Sequence, residues 1–183
     1  MEAQLCTNEE VLVVGGGNSA GQATMFLSRF VSHVHMIIRG AGLAASMSDY
    51  LVQRIEASPR VSLHTHSQIT GLDGDHLLRS VTWTNSRTGE TFTRPTGNMF
   101  VLIGAMPNTD WLNGCLALDE RGFVRTGQDA DGMALSSPYA TSRPGIYAVG
   151  DVRSGSVKRV ASSVGEGAVV VQAVHRYLDP DAA

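Results

Sequence analysis

The chain has 183 residues, 43% hydrophobic and 17% charged, with a formal net charge of −3. That is the composition of a globular protein of one domain or two small ones, and it excludes collagen, repeats and extended disorder. Lys158 is the one lysine, so no basic patch for nucleic acid is expected, and no apolar run reaches the roughly 18 to 20 residues that a bilayer span requires.

A chain of this size buries on the order of 70% of its unfolded surface and needs no staples. Cys6 and Cys115 lie far apart and form no CxxC, so neither a zinc knuckle nor a local redox pair is encoded. Both read as plain thiols of a cytoplasmic protein.

The strongest local pattern covers residues 11–38. Val11 to Val14 read as a strand, Gly15 to Ala20 as a glycine turn, and Val34 to Ile38 as a second strand. Between them Ala20, Ala23, Leu27 and Phe30 predict one buried helical stripe. A parallel crossover is implied. Ser46 with Asp49 resembles a capping box for a helix carrying Met47, Leu51 and Ile55, which Ser58-Pro59 ends.

Val61 and Leu63 then alternate as a strand. Asp73-Gly74 is a type I′ hairpin signal, Val81 and Trp83 alternate with threonines, and Thr88-Gly89 turns the chain into Thr91–Thr93, which predicts a small antiparallel meander. Residues 98–104 (NMFVLIG) predict a strand covered on both faces. From Ala105 the composition shifts to Pro, Asn and Gly, with a hairpin at Asp119 to Gly122. Residues 145–151 (GIYAVGD) read as a buried strand, followed by a helix with Val157, Val160, Val164, Val171, Val174 and Leu178 on a side that must be buried. The fold class is therefore α/β, with domains at 1–105 and 106–183.

A strand running through Gly-x-Gly-x-x-Ala into a helix suits a dinucleotide. Gly15 makes the turn, Gly17 lets backbone approach a pyrophosphate, Ala20 packs helix on strand, and Gly16, Asn18 and Ser19 complete the helix start with its unpaired N–H groups. After the second strand the chain offers Arg39, and no carboxylate before Asp49. A 2′-phosphate would meet a cation there, so NADP(H) is favoured over NAD(H).

Together VVGGGNSA, HMIIRG, VLIGAMPNT and GIYAVGDVRSGSVKRVASSVGEGA resemble the pyridine-nucleotide domain and C-terminal flavin segment of thioredoxin-reductase-like flavoproteins, in the variant fused to cyclic-nucleotide-binding domains. The resemblance implies a Rossmann-like three-layer domain at 1–105 with a parallel sheet and meander. Residues 106–183 would be the C-terminal part of an FAD-binding α/β domain. It also implies NADPH and FAD as cofactors, with hydride passing from nicotinamide to flavin and then to a disulfide protein or small molecule. Gly15 to Ala20 would hold the pyrophosphate, Arg39 the 2′-phosphate, and Ile103 and Gly104 the nicotinamide side. Gly150, Asp151, Lys158, Arg159, Val160 and Ala161 would follow the flavin, the cations stabilising negative charge near its N1.

Three departures shape the expectation. The family's His-Arg-Arg and following Arg read Ile38-Arg39-Gly40 and Ala44, which weakens the NADPH preference. The CxxC preceding the first strand is absent, its second cysteine falling near Met1, so exchange through a mixed disulfide lacks a resolving partner. A second glycine turn for the FAD pyrophosphate is also absent. The chain by itself is then expected to hold FAD poorly, and to be a homo-oligomer or to need a missing FAD-domain half. Two alternatives stand beside this reading: a ferredoxin- or flavodoxin-type NADP reductase, and a non-catalytic NADP(H)-binding module.

Weaker signals complete the reading. His33/His35 and His64/His66 would lie on neighbouring strands, but no Cys or carboxylate completes a metal shell. Trp83 and Trp111 read as core or edge aromatics, and Glu166, between Gly165 and Gly167, as a solvated helix residue ahead of the alternative, a polar contact near the flavin.

Overall fold

The computed structural model describes residues 2–181, so the outermost positions of the two expected domains, 1 and 182–183, lie outside the described residues. The chain divides into two compact units, Met1–Gly104 and Ala105–Ala183. The first unit runs α1 (Glu2–Leu5), β1 (Glu10–Val14), α2 (Asn18–Leu27), β2 (His33–Ile37), α3 (Asp49–Glu56) and β3 (Val61–His64). It continues through β4 (Ser67–Gly74), β5 (Leu78–Asn85), β6 (Thr91–Pro95) and β7 (Met99–Val101). The parallel sheet has the order β3-β2-β1-β7, and β4-β5-β6 form a separate sheet with antiparallel pairing.

The period of two along β1 explains the layers. Val11 and Val13 face the side where Ala20, Leu27, Leu51 and Ile55 pack, while Leu12 faces the meander with Ile37, Val81 and Trp83. Because both faces are covered, an unbroken apolar run is required. Val11, Leu12 and Val13 are each 0% exposed, and burying such a side chain stabilises by about 1.5–3 kcal/mol. The first unit is thus the Rossmann-like helix, parallel sheet and meander sandwich that the sequence implies.

Several local expectations are corrected. The buried stripe of α2 is Ala20, Gly21, Thr24 and Leu27, because the helix stops at Leu27. Phe30 lies beyond it, 39% exposed against Phe26. Ser48, not Ser46, is the N-cap of α3, and its side chain makes no capping bond. Met47 is buried just ahead of the helix. Asp73 and Gly74 end β4 instead of forming the hairpin loop, which is residues 75–77, since Gly74 pairs with Leu78. The run at 98–104 yields only Met99–Val101, at the edge of the sheet beside β1, with Val101 half exposed.

The second unit holds Leu112, Leu116, Val124 and Ala148 as its core. The expected hairpin is present as the Leu118↔Val124 bridge, where the Asp119 carboxylate accepts the N–H groups of Arg121 and Phe123. Residues 145–151 form no strand; they contribute the Ala140↔Tyr147 bridge and a 3-10 turn at Gly150–Val152. Trp111 is 76% exposed, its indole donating to Asn108 O, so it is no core aromatic.

The last helix, α4, spans Val160–Leu178 and has no buried residue. It attaches through one side: Ser163 lies against Gly150, Glu166 binds Gly150 and Arg153, Ala173 accepts from Tyr147, and Tyr177 lies against Gly145. Val160, Val164, Val171 and Leu178 point elsewhere and are 50–83% exposed. The apolar stripe is therefore open in this chain instead of buried.

Candidate functional site

The glycine turn begins where β1 ends. The Gly15 N–H donates to Ile37 O at 3.0 Å, and Gly15 has φ +137 with the Leu102 carbonyl packed against its Cα. Gly17 is the N-cap of α2 and supplies no side-chain bond to the helix. The first-turn N–H groups of Asn18, Ser19 and Ala20 therefore remain open for an anion, at the positive end of the helix dipole. Ala20 is fully buried, and Gly21 lets Met47 pack closely, since a Cβ there would lie 2.7 Å from its Sδ.

A groove of about 560 Å³ opens beside this turn, lined by Gly16, Gly17, Ile38, Arg39, residues 40–42, 44 and 45, and Ser46. Arg39 is exposed and makes no hydrogen bond or ion pair with the described residues. It is the charged residue of this lining, so a phosphate in the groove would meet one uncommitted guanidinium. The structure thus brings Gly15 to Ala20 and Arg39 together. Ile103 is 71% exposed and Gly104, with φ +96, has open space around it; both follow β7 at the end of the first unit.

In the second unit Gly150, Asp151, Lys158, Arg159, Val160 and Ala161 gather at the start of α4. Lys158 Nζ donates to Asp151 O at 2.8 Å and lies 4.0 Å from the Phe123 ring centroid. Arg159 is the N-cap of α4 and donates locally to Lys158 O. Both cations are exposed, and each donates to a backbone carbonyl, Lys158 to Asp151 O and Arg159 to Lys158 O. Asp151 keeps an exposed carboxylate, and Val160 and Ala161 occupy the open first turn of the helix.

Glu166 is the residue that sequence reasoning misplaced. Its carboxylate accepts the Gly150 N–H at 2.6 Å and the Arg153 guanidinium at 2.6 Å, with side chains only 12% and 19% exposed. The Arg153 hydrogen bond, then the Gly150 N–H, hold its pKa below the usual carboxylate range. The flanking glycines gave no signal for it, since a Cβ at Gly165 or Gly167 would meet nothing within 4 Å. Glu166→Ala leaves a guanidinium and an N–H unpaired, so a loss of about 1–3 kcal/mol is expected. A thermal-unfolding midpoint indistinguishable from the parent would show the pair to be idle.

Ser46 is the second missed residue. It donates to Gly16 O at 2.9 Å, and the Ser48 N–H donates to Asn18 Oδ1 at 2.9 Å. The histidines converge less than their spacing suggested. His35 Nδ1 and His64 Nε2 are 3.1 Å apart, His33 bonds Ser62, and His66 sits in a left-handed turn. Among the described residues no group of three or more His, Cys, Asp or Glu is arranged to hold a metal. No helix among them is long and apolar enough to cross a membrane.

Known proteins resemble this chain in sequence and in fold. The chain is 33% identical over 171 residues to thioredoxin reductase of Chlamydia pneumoniae, covering 93% of this chain and 52% of that protein. It is 34% identical over 167 residues to the F subunit of alkyl hydroperoxide reductase from Staphylococcus epidermidis, covering 91% and 31%. The crystal structure of Lactococcus lactis thioredoxin reductase superposes with a TM-score of 0.79 at 28% identity, over 97% of this chain and 55% of that one. The chain spans about half the length of the thioredoxin reductases it matches. A model of the pyridine nucleotide-disulphide oxidoreductases matches residues 2–167, nearly the whole chain, and the chain belongs to that family.

Proposed function

We propose that residues 1–105 bind a pyridine dinucleotide, NADP(H) in preference to NAD(H), and that residues 106–183 are the C-terminal part of an FAD-binding domain. The chain then forms part of an NADPH-dependent flavoprotein oxidoreductase whose final acceptor is a disulfide protein or a small molecule. The observation that carries this is the glycine turn opening on a groove whose one charged wall residue, Arg39, is uncommitted.

The residues fit the pyridine nucleotide. Open helix N–H groups suit the pyrophosphate, and Arg39 suits a phosphate on the adenosine ribose. They fit FAD in part: the exposed Asp151 carboxylate, the open first turn of α4 and the bare apolar side of that helix are one edge of a flavin site. In this reading the remainder of the FAD domain covers Val160, Val164 and Val171, supplied by a longer protein or a partner chain. Bound flavin supplies the electron-accepting ring, while this chain binds and orients.

Titration of the chain with NADPH and NADH, before and after Arg39→Ala, tests the assignment. Losing one charge-assisted hydrogen bond is worth about 1–3 kcal/mol, so NADPH affinity should fall roughly tenfold or more while NADH affinity changes little. Equal losses for both coenzymes would remove Arg39 from the 2′-phosphate. A second reading, a module that binds NADP(H) without turnover, is favoured by the exposed side of α4. NADPH consumption by the chain with added FAD and an artificial acceptor would exclude it.

A further inference from the structure

Glycine turns are loosely held by their own packing, and this one is no exception at its centre. A Cβ on Gly16 would come no closer than 3.6 Å to Ile38 and Ser46, and one on Gly17 would meet only Ser46 O, at 3.9 Å. With neighbours that far away and glycine's wide φ/ψ range, sterics alone do not choose the orientation of the Gly16–Gly17 peptide. The Ser46 hydroxyl does. It donates to Gly16 O at 2.9 Å from thirty positions along the chain. Since the peptide is planar and trans, fixing its carbonyl toward Ser46 turns the Gly17 N–H to the opposite side.

Ser46 can do this because it is itself held. Leu43 and Met47 are 2% and 5% exposed and anchor a turn in which the N–H groups of Ser46 and Met47 both donate to Leu43 O. Met47 lies against Gly21, and the Ser48 N–H reaches Asn18 Oδ1. The turn is therefore fixed to α2 just after Ser46, by packing at Met47 and a hydrogen bond at Ser48. The rest of the facing wall, residues 40–42, 44 and 45, is glycine and alanine, which offer a phosphate no side-chain donor.

We propose that Ser46 is a positioning residue of the dinucleotide cradle: its hydroxyl orients the Gly16–Gly17 peptide so that the Gly17 N–H joins those of Asn18 and Ser19 toward the pyrophosphate. This rests on the dinucleotide reading above. Ser46 acts through the peptide, so its contribution is confined to the pyrophosphate and does not extend to the adenosine ribose, where Arg39 stands.

The test separates the two halves of the ligand. ADP-ribose and NADP+ carry the pyrophosphate; adenosine 2′-monophosphate carries only the group assigned to Arg39. For Ser46→Ala the dissociation constants for ADP-ribose and NADP+ are expected to rise about 3- to 10-fold, the worth of one neutral hydrogen bond. That for adenosine 2′-monophosphate stays unchanged, Ser46→Thr restores pyrophosphate binding, and melting curves of both variants follow the parent. An equal loss for all three ligands, or no loss for ADP-ribose, overturns the proposal while leaving the dinucleotide site in place. Failure of the parent chain to bind ADP-ribose would overturn the dinucleotide reading first and this proposal with it.

Discussion

Gly15→Ala should unfold the first unit or leave it melting more than about 10 °C below the parent. The added Cβ would fall within the van der Waals envelope of the Leu102 carbonyl oxygen and 2.8 Å from its carbon, at a φ of +137. A non-glycine residue held at such a backbone angle costs of order 1–3 kcal/mol. The contact cannot be relieved by a side-chain rotation, because its partner is backbone. Relief requires Leu102 to move, and with it the 2.8 Å bond from the Leu102 N–H to Val14 O that closes the end of β7 on β1, worth about 1 kcal/mol more. A total of about 3 kcal/mol or more is a large share of the 5–15 kcal/mol that holds a domain together. The shift also displaces the start of the anion cradle, so any folded fraction should bind pyridine nucleotides weakly. A Gly15→Ala chain that melts within a few degrees of the parent would mean that β7 does not press on this turn.

The contrast between this turn and the rest of the molecule shows where sequence carries structural information. VLVV-GGG-NSA could be read directly, because every step is local: a run covered on both faces, a turn, an open helix start. The two-unit division fell where Pro, Asn and Gly begin to accumulate after Gly104. What was illegible depends on partners distant in the chain. Ser46 looked like a helix cap because it stands three residues before Asp49; that Gly16 O lies within its reach is decided by how β2 and α2 pack. NMFVLIG reads as a strand covered on both faces, yet only three residues pair, because the strand occupies the edge. Glu166 looks solvated on a helical wheel, and becomes an anchor only because Gly150 and Arg153 lie beneath it. The helix α4 has the period of an amphipathic helix, but period alone does not say which side its own unit uses. Here the Ser163–Glu166–Ala173–Tyr177 side makes the contacts, so the valine side is open.

Acid should weaken the first unit as the pH falls from about 6.5 toward 4. His35 on β2 and His64 on β3 share a hydrogen bond of 3.1 Å between Nδ1 and Nε2. One nitrogen must carry the proton and the other accept it, so the bond survives only while at least one ring is neutral. Glu10 from β1 accepts from the far side of His35. His33 and Arg94 add positive charge nearby, and Trp83 and Phe92 of the meander cover His64. Burial, then the neighbouring cations, push His64 down from 6.5 to about 4. Burial also lowers His35, against the pull of Glu10. An imidazole whose folded pKa is depressed leaves the unfolded chain holding more protons between the two values, so stability is full above 6.5 and declines as pH falls through the window. For His64 alone the loss is at most about 3 kcal/mol. Glu166 and Asp119, whose acidities are strengthened by Arg153 and Ser154, add their own losses only at lower pH, so the slope above pH 5 belongs to the histidines. Thermal unfolding followed by Trp83 fluorescence in a Trp111→Phe background should show the midpoint falling from pH 7 to pH 4.5, and His64→Leu should flatten that slope. A slope that persists unchanged in the variant would place the titrating group elsewhere.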